Sequence, residues 1–231
     1  MPLDTLDLGV TKWLLCVALG AGLAVDATSW LQVMVSRPIV GGTLGGALFG
    51  NAEAGFLAGA LLELLFLRYP PFGGARYPDP GPSGFIAGAA NAAAGGEALA
   101  ALSAAVAVGW IVGWLGARSV RVVRALNGRR VGDPGRLTAT PRRLARRHRA
   151  GIALEAARGG LLSAAFLVPG IFAVRLAGGT DSIGPSWLPV VLLLAAVLGS
   201  AAIGLRNLGA GRRWWSLLLP GPIVLLLLTL P

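Results

Sequence analysis

The sequence predicts an all-α polytopic membrane protein, with transmembrane helices plus short re-entrant or broken helices near residues 38–67. Three observations carry that prediction. The 231-residue chain is 55% hydrophobic and 13% charged, about half the charged share of a soluble domain, and its mean hydropathy is +0.72. Apolar stretches recur at about 11–35, 38–50, 54–67, 83–117, 159–177, 187–205 and 214–231. The formal charge of +10 is concentrated, with eleven of the twenty basic residues between Arg118 and Arg149. That is the pattern of a cytoplasmic loop, because Lys and Arg are retained on the inner face.

The first stretch reads as a membrane helix that is retained. Trp13 to Leu23 resembles a signal-peptide core, and Val25-Asp26-Ala27 a passable cleavage site. Asp4 and Asp7 against a single Lys12 nevertheless give the preceding residues the wrong sign for a signal peptide. Asp26, Thr28, Ser29 and Gln32 form a polar cluster at its end, which suits either a helix terminus or part of a site.

Stretches 38–50 and 54–67 fall short of the roughly 20 apolar residues of a straight span. They read as a re-entrant pair or as halves of a broken helix. Gly42, Gly46 and Gly50 recur every fourth residue, as do Gly55 and Gly59, with Glu63 four further on. On a helix each set forms a stripe that lets another backbone approach, and it turns Glu63 toward a packed interior or cavity. A carboxylate at membrane depth costs a few kcal/mol unless it has a partner or water; Arg68, Arg76 or a hydroxyl-rich ligand could supply one. Asp79, within Tyr77-Pro78-Asp79-Pro80, suits a turn or a site.

Stretch 83–117 is too long for one span and is expected to split around Ala94-Gly95-Gly96-Glu97. Ser119 to Leu126 reads as an amphipathic continuation of the helix before it, and Asn127 to Pro141 as a turn-rich link. Arg142 to Arg158 reads as an Arg/Ala helix lying at the interface. Together, 118–158 would be a basic cytoplasmic or interfacial connector inside one membrane domain covering 1–231, placed to meet anionic lipid headgroups. With that connector inside, 159–177 runs outward, 178–186 faces out and 187–205 returns. Arg206, Arg212 and Arg213 then fall inside, and 214–231 ends outside.

Several chemistries are disfavoured. The basic block holds no aromatic residue to stack on bases, so no nucleic-acid partner is expected. Cys16 is the only cysteine and His148 the only histidine, which leaves no disulfide framework, metal site or convincing catalytic triad. No catalytic residue and no cofactor are expected. Asp26, Gln32, Arg37, Glu63 and Asp79 supply the charged and amide groups with which a site could hold sugar hydroxyls.

From Arg37 onward the chain resembles the IIC (permease) subunit of the mannose/fructose/sorbose family of the phosphoenolpyruvate-dependent sugar phosphotransferase system. The matching pieces are Arg37-Pro38-Ile39-Val40, Gly42-Thr43-Leu44-Gly45-Gly46, Leu48-Phe49-Gly50-Asn51, Gly55 through Glu63, Gly73-Gly74-Ala75 and Pro78-Asp79. Asp26 stands where the family has an acid before its Arg-Pro pair. Asn51, Arg68, Pro71 and Arg76 depart from the family's pattern.

The resemblance implies a multi-pass protein of the bacterial inner membrane. It would bind a hexose through Glu63 and Asp79 with help from Asp26 and Gln32, while Arg37, Pro38, Gly42, Gly46, Gly59 and Gly73 support the site. It implies a IID membrane partner, soluble IIA/IIB components that carry the phosphoryl group in this chain's stead, and a homo-oligomer. Two other functions fit the residues. One is a non-transporting regulatory membrane module of a degenerate phosphotransferase system. The other is an ion-coupled secondary carrier using Glu63 and Glu97.

Overall fold

The computed structural model describes residues 9–69, 77–96, 98–131, 140–179 and 187–207. The described residues form seven helices and no strand: α1 (Val10–Thr28), α2 (Pro38–Leu48), α3 (Ala52–Phe66), α4 (Pro80–Ala93), α5 (Leu99–Val131), α6 (Pro141–Gly178) and α7 (Trp187–Asn207). The all-α prediction holds. Stretch 214–231, Gly73, Pro71, Arg76 and Glu97 lie outside the described residues.

Helix ends follow local chemistry. Pro38, Pro80 and Pro141 each open a helix, where the missing N–H removes no helical bond and the fixed φ suits the first turn. Asn51 caps α3, its Oδ1 accepting from Ala54 N–H at 2.9 Å. Asn51→Asp should therefore leave stability nearly unchanged, whereas Asn51→Ala should cost about 0.5–2 kcal/mol; thermal midpoints in detergent would check both. Gly50 (φ +86°) ends α2, and Gly95 (φ +100°) with Gly96 (φ +78°) ends α4. These are left-handed conformations that glycine adopts at little cost. The long stretch 83–117 thus divides at Gly95-Gly96 as the sequence suggests.

At 1.5 Å per residue, α2, α3 and α4 reach only about 16–23 Å, less than the roughly 30 Å hydrocarbon layer. By contrast, α1, Leu99–Arg129 of α5 and α6 are long and apolar enough to cross a membrane. The α2–α3 hairpin and α4 form a small-residue centre: α2 packs chiefly on α4 and α3, α1 on α6, and α5 on α6. Almost the whole of α4, Gly81 to Ala92, is buried. Large apolar side chains such as Leu14, Phe56, Trp110, Ile111, Leu161 and Phe172 instead point outward. Glycine and alanine inside with large apolar groups outside is the packing expected where the surroundings are as apolar as the core.

The glycine stripes meet as their spacing predicts. A Cβ on Gly42 would lie 2.6 Å from Gly55 O and 2.8 Å from Gly59 Cα, and one on Gly46 2.6 Å from Gly55 Cα. Backbone atoms cannot swing aside as a flexible side chain can. Gly42→Ala should therefore destabilise by about 1–3 kcal/mol or more, read as a lower thermal midpoint and yield. Gly50 is the exception: it sits in the turn with open space around its Cα rather than in the interface.

Three expectations need correction. α1 stops at Thr28, and residues 29–37 run outside a helix because Asp26 binds their backbone. α5 stays helical past Asn127 to Val131. Arg142–Arg158 is no separate interfacial helix, because α6 is continuous from Pro141 to Gly178 and its Glu155 and Arg158 are buried. The helix is held there by packing on α1 and α5 and by ion pairs.

Candidate functional site

A cavity of about 460 Å³ opens where the C-terminal ends of α1 and α3 meet the N-terminal ends of α2 and α4. Asp26, Gln32, Ser36, Arg37 and Glu63 line it together with the aromatic rings of Phe66, Tyr69 and Tyr77. Its walls are a strained loop, two helix starts and the end of the hairpin, so each polar group has a structural reason for its position.

Glu63 is held by the start of α2. Its Oε1 accepts from Arg37 Nε at 2.8 Å and forms an ion pair with Arg37 Nη2; its Oε2 accepts from Ile39 N–H at 3.1 Å. Ile39 N–H belongs to the first turn of α2, where backbone donors lack helical acceptors and a negative charge is favoured. The antiparallel hairpin carries the last turn of α3 to this point. Arg37 thus pairs with Glu63; Arg68 stacks over the Tyr69 ring at 4.8 Å, and Arg76 lies outside the described residues. A carboxylate has about four lone-pair positions. Glu63, with a side chain 20% exposed, therefore keeps acceptor capacity toward the cavity.

Asp26 shapes the loop opposite. Its Oδ1 accepts from Val33 N–H at 2.9 Å and its Oδ2 from Ser36 N–H at 2.8 Å. Around these contacts Leu31 (φ 67°), Gln32 (φ 53°) and Met34 (φ 67°) adopt left-handed backbone, each at a cost of about 1–3 kcal/mol. The buried carboxylate offsets that strain and places Gln32 and Ser36 on the cavity wall. Asp26 lines the cavity chiefly as the anchor of its loop.

Asp79 does not line the cavity, although its neighbours Pro78 and Pro80 do. Its carboxylate turns inward and its Oδ2 accepts from Arg158 Nη1 at 2.6 Å. Arg158 also donates Nη1 to Ser119 Oγ at 3.0 Å, and Nε and Nη2 to Glu155 Oε1 at 2.8 and 2.6 Å. All three charged side chains are nearly inaccessible, at 1% for Asp79, 5% for Arg158 and 5% for Glu155. Asp79 Oδ1 is buried with no hydrogen-bond partner among the described residues. Asp79 is therefore an anchor of the α4 start rather than a group presented to the cavity, because its charge is committed to a cation on α6.

The structure thus gathers Asp26, Gln32, Arg37, Pro38 and Glu63 at one cavity. It places Gly42, Gly46 and Gly59 in the hairpin interface behind it, and separates Asp79. Sequence reading missed Arg158, Glu155 and Ser119, and the ring wall of Phe66, Tyr69 and Tyr77. Only the i, i+3 spacing of Glu155 and Arg158 inside an apolar run could have pointed to the first group.

Chemically, the cavity offers charged and amide hydrogen-bonding groups beside flat aromatic faces. That combination suits a small neutral polyhydroxylated ligand, whose hydroxyls both donate and accept and whose C–H faces pack on rings. The family model described as "PTS system sorbose-specific iic component" matches residues 11–128, just over half of the chain. A protein of Escherichia coli (strain K12) described as "N-acetylgalactosamine permease IIC component 1" is 38% identical over 58 residues, a stretch covering 25% of this chain and 22% of that relative.

Proposed function

The chain belongs to the family of sorbose-specific IIC components of the phosphotransferase system, and on that premise we propose that it is a membrane permease subunit which binds a hexose in the Glu63 cavity. The observation carrying this reading is the convergence of the Glu63–Arg37 pair, Gln32 and Ser36 with three aromatic rings around about 460 Å³. Glu63 and Gln32 contact hydroxyls, Arg37 holds the Glu63 carboxylate in place, and the rings receive an apolar sugar face. Asp26 and Asp79 position the two loops. The translocation path is completed by a IID membrane subunit, and soluble IIA/IIB components phosphorylate the sugar. The protein resides in the bacterial inner membrane as a homo-oligomer, with the exposed arginines at the end of α5 and the start of α6 on the cytoplasmic side against anionic headgroups. An amino sugar such as N-acetylgalactosamine belongs in the first panel of ligands, given the relative's name.

Reconstitution in proteoliposomes with a IID subunit, IIA/IIB and phosphoenolpyruvate tests this. The expected result is a hexose accumulated as its phosphate only when every component is present. Uptake by this chain alone, driven by a pH gradient, would replace the reading with an ion-coupled carrier. Hexose binding without any phosphorylation would replace it with a regulatory module.

A further inference from the structure

A second cavity, about 350 Å³, lies on the other side of the C-terminal end of α1, between α5 and α6. Thr28 and Ser29 come from α1 and its cap, Arg124 and Asn127 from α5, and Arg147 and His148 from α6. The two long helices run close together here, since a Cβ on Gly151 would meet Asn127 Nδ2 at 3.5 Å. Side chains from α1, α5 and α6 are thereby brought to one concavity.

We propose that this cavity binds a phosphate monoester. The donors suit that ligand: guanidinium groups match phosphate oxygens with paired N–H bonds, while the Asn127 amide and the Ser29 hydroxyl satisfy the remaining ones; the Thr28 hydroxyl donates to Ala24 O. The lone acid of the lining is Glu155. Its Oε1 is already taken by Nε and Nη2 of Arg158, so its charge is engaged toward the core. The composition reinforces the preference, because the sequence from Arg118 to Arg149 holds eleven arginines and a single acid. Such a field draws a dianion ahead of a monoanion or a neutral sugar. The site is argued from its own residues and stands whether or not the Glu63 cavity holds a hexose. Its ligand is either a soluble phosphate ester or the headgroup of an anionic lipid, which share this chemistry.

The test uses the full chain, purified in neutral detergent and in phosphatidylcholine nanodiscs with or without phosphatidic acid. Glycerol 3-phosphate serves as the soluble probe and glycerol as its uncharged control. Binding is read as a rise in thermal midpoint with ligand concentration and, for lipid, as phosphatidic acid retained through delipidation. We expect one of the two phosphate sources to bind and glycerol not to. The double variant Arg124→Gln/His148→Gln, both exposed positions, should weaken binding about tenfold or more, the loss of a charge-assisted hydrogen bond. Arg121→Gln/Arg129→Gln, exposed on α5 outside the cavity, should change it less than twofold (about). Stabilisation by glycerol 3-phosphate identifies a soluble ester; retention of phosphatidic acid alone identifies a headgroup. The proposal is overturned if neither binds, or if both double variants weaken binding equally, which is the signature of a diffuse positive field.

Discussion

Arg158→Met should remove about 3–5 kcal/mol of stability, the cost of leaving buried carboxylates without their cation. Against a total of about 5–15 kcal/mol for a folded domain, that is enough to abolish most of the purified yield. The geometry explains the size of the effect. Arg158 satisfies Asp79, Glu155 and Ser119 simultaneously, so its loss strands two carboxylates that water cannot reach. Asp79→Asn should be milder, since Arg158 keeps Glu155. The triple variant Asp79→Asn/Glu155→Gln/Arg158→Met should be more stable than Arg158→Met alone, because it removes the uncompensated charge along with the cation. Thermal midpoints of the four proteins in one detergent check the order; an Arg158→Met protein as stable as the parent would refute the cluster's role.

Glu63→Gln should leave the fold standing and lower hexose affinity about 10–100-fold. The two halves of that expectation have different causes. Arg37 is 45% exposed in its side chain and Glu63 20%, so solvent screens the pair and its loss costs about 1 kcal/mol or less. A hydroxyl bond to a carboxylate gains about 1.5–3 kcal/mol against about 0.5–1.5 for a neutral acceptor, so losing the charge at one or two such bonds gives the stated loss of affinity. Arg37→Ala should behave differently, lowering both affinity and the precision of Glu63, with Arg37→Lys recovering only part. Equilibrium binding of the hexose panel to the purified IIC–IID complex measures all three.

Much of the frame was legible because it is local. Glycines at fourfold spacing on a helix form stripes by backbone geometry alone, and Gly95-Gly96 ends α4 through positive φ, whereas Gly41-Gly42 and Gly159-Gly160 stay helical. The stripe register also contains the Glu63 partner. Gly46 meets Gly55, and Gly42 meets Gly59; one more turn brings the Arg37–Pro38 junction against Glu63. Arg68 and Arg76 drew attention instead through nearness in sequence.

The Asp79–Arg158 pair was beyond such reading. The two residues are 79 positions apart, and an ion pair between helices leaves no periodic trace in either. Arg158 was further hidden at the end of a basic run, where counting charges assigns every arginine to a solvated face. The strained 31–34 loop was also illegible, since nothing in Leu31 or Met34 favours left-handed backbone. It arises because buried Asp26 binds the N–H groups of Val33 within it and Ser36 just after it.

The central claim is that sugar occupies the cavity between Gln32, Glu63 and Tyr69. A hexose bearing a photoreactive diazirine, activated on the reconstituted IIC–IID complex and mapped by peptide mass spectrometry, tests that location directly. The account predicts labels within residues 26–38, 63–69 or 77–80, lost when unlabelled hexose competes and reduced in Glu63→Gln. Competable labelling confined to other helices of this chain, or to the partner subunit alone, would contradict it.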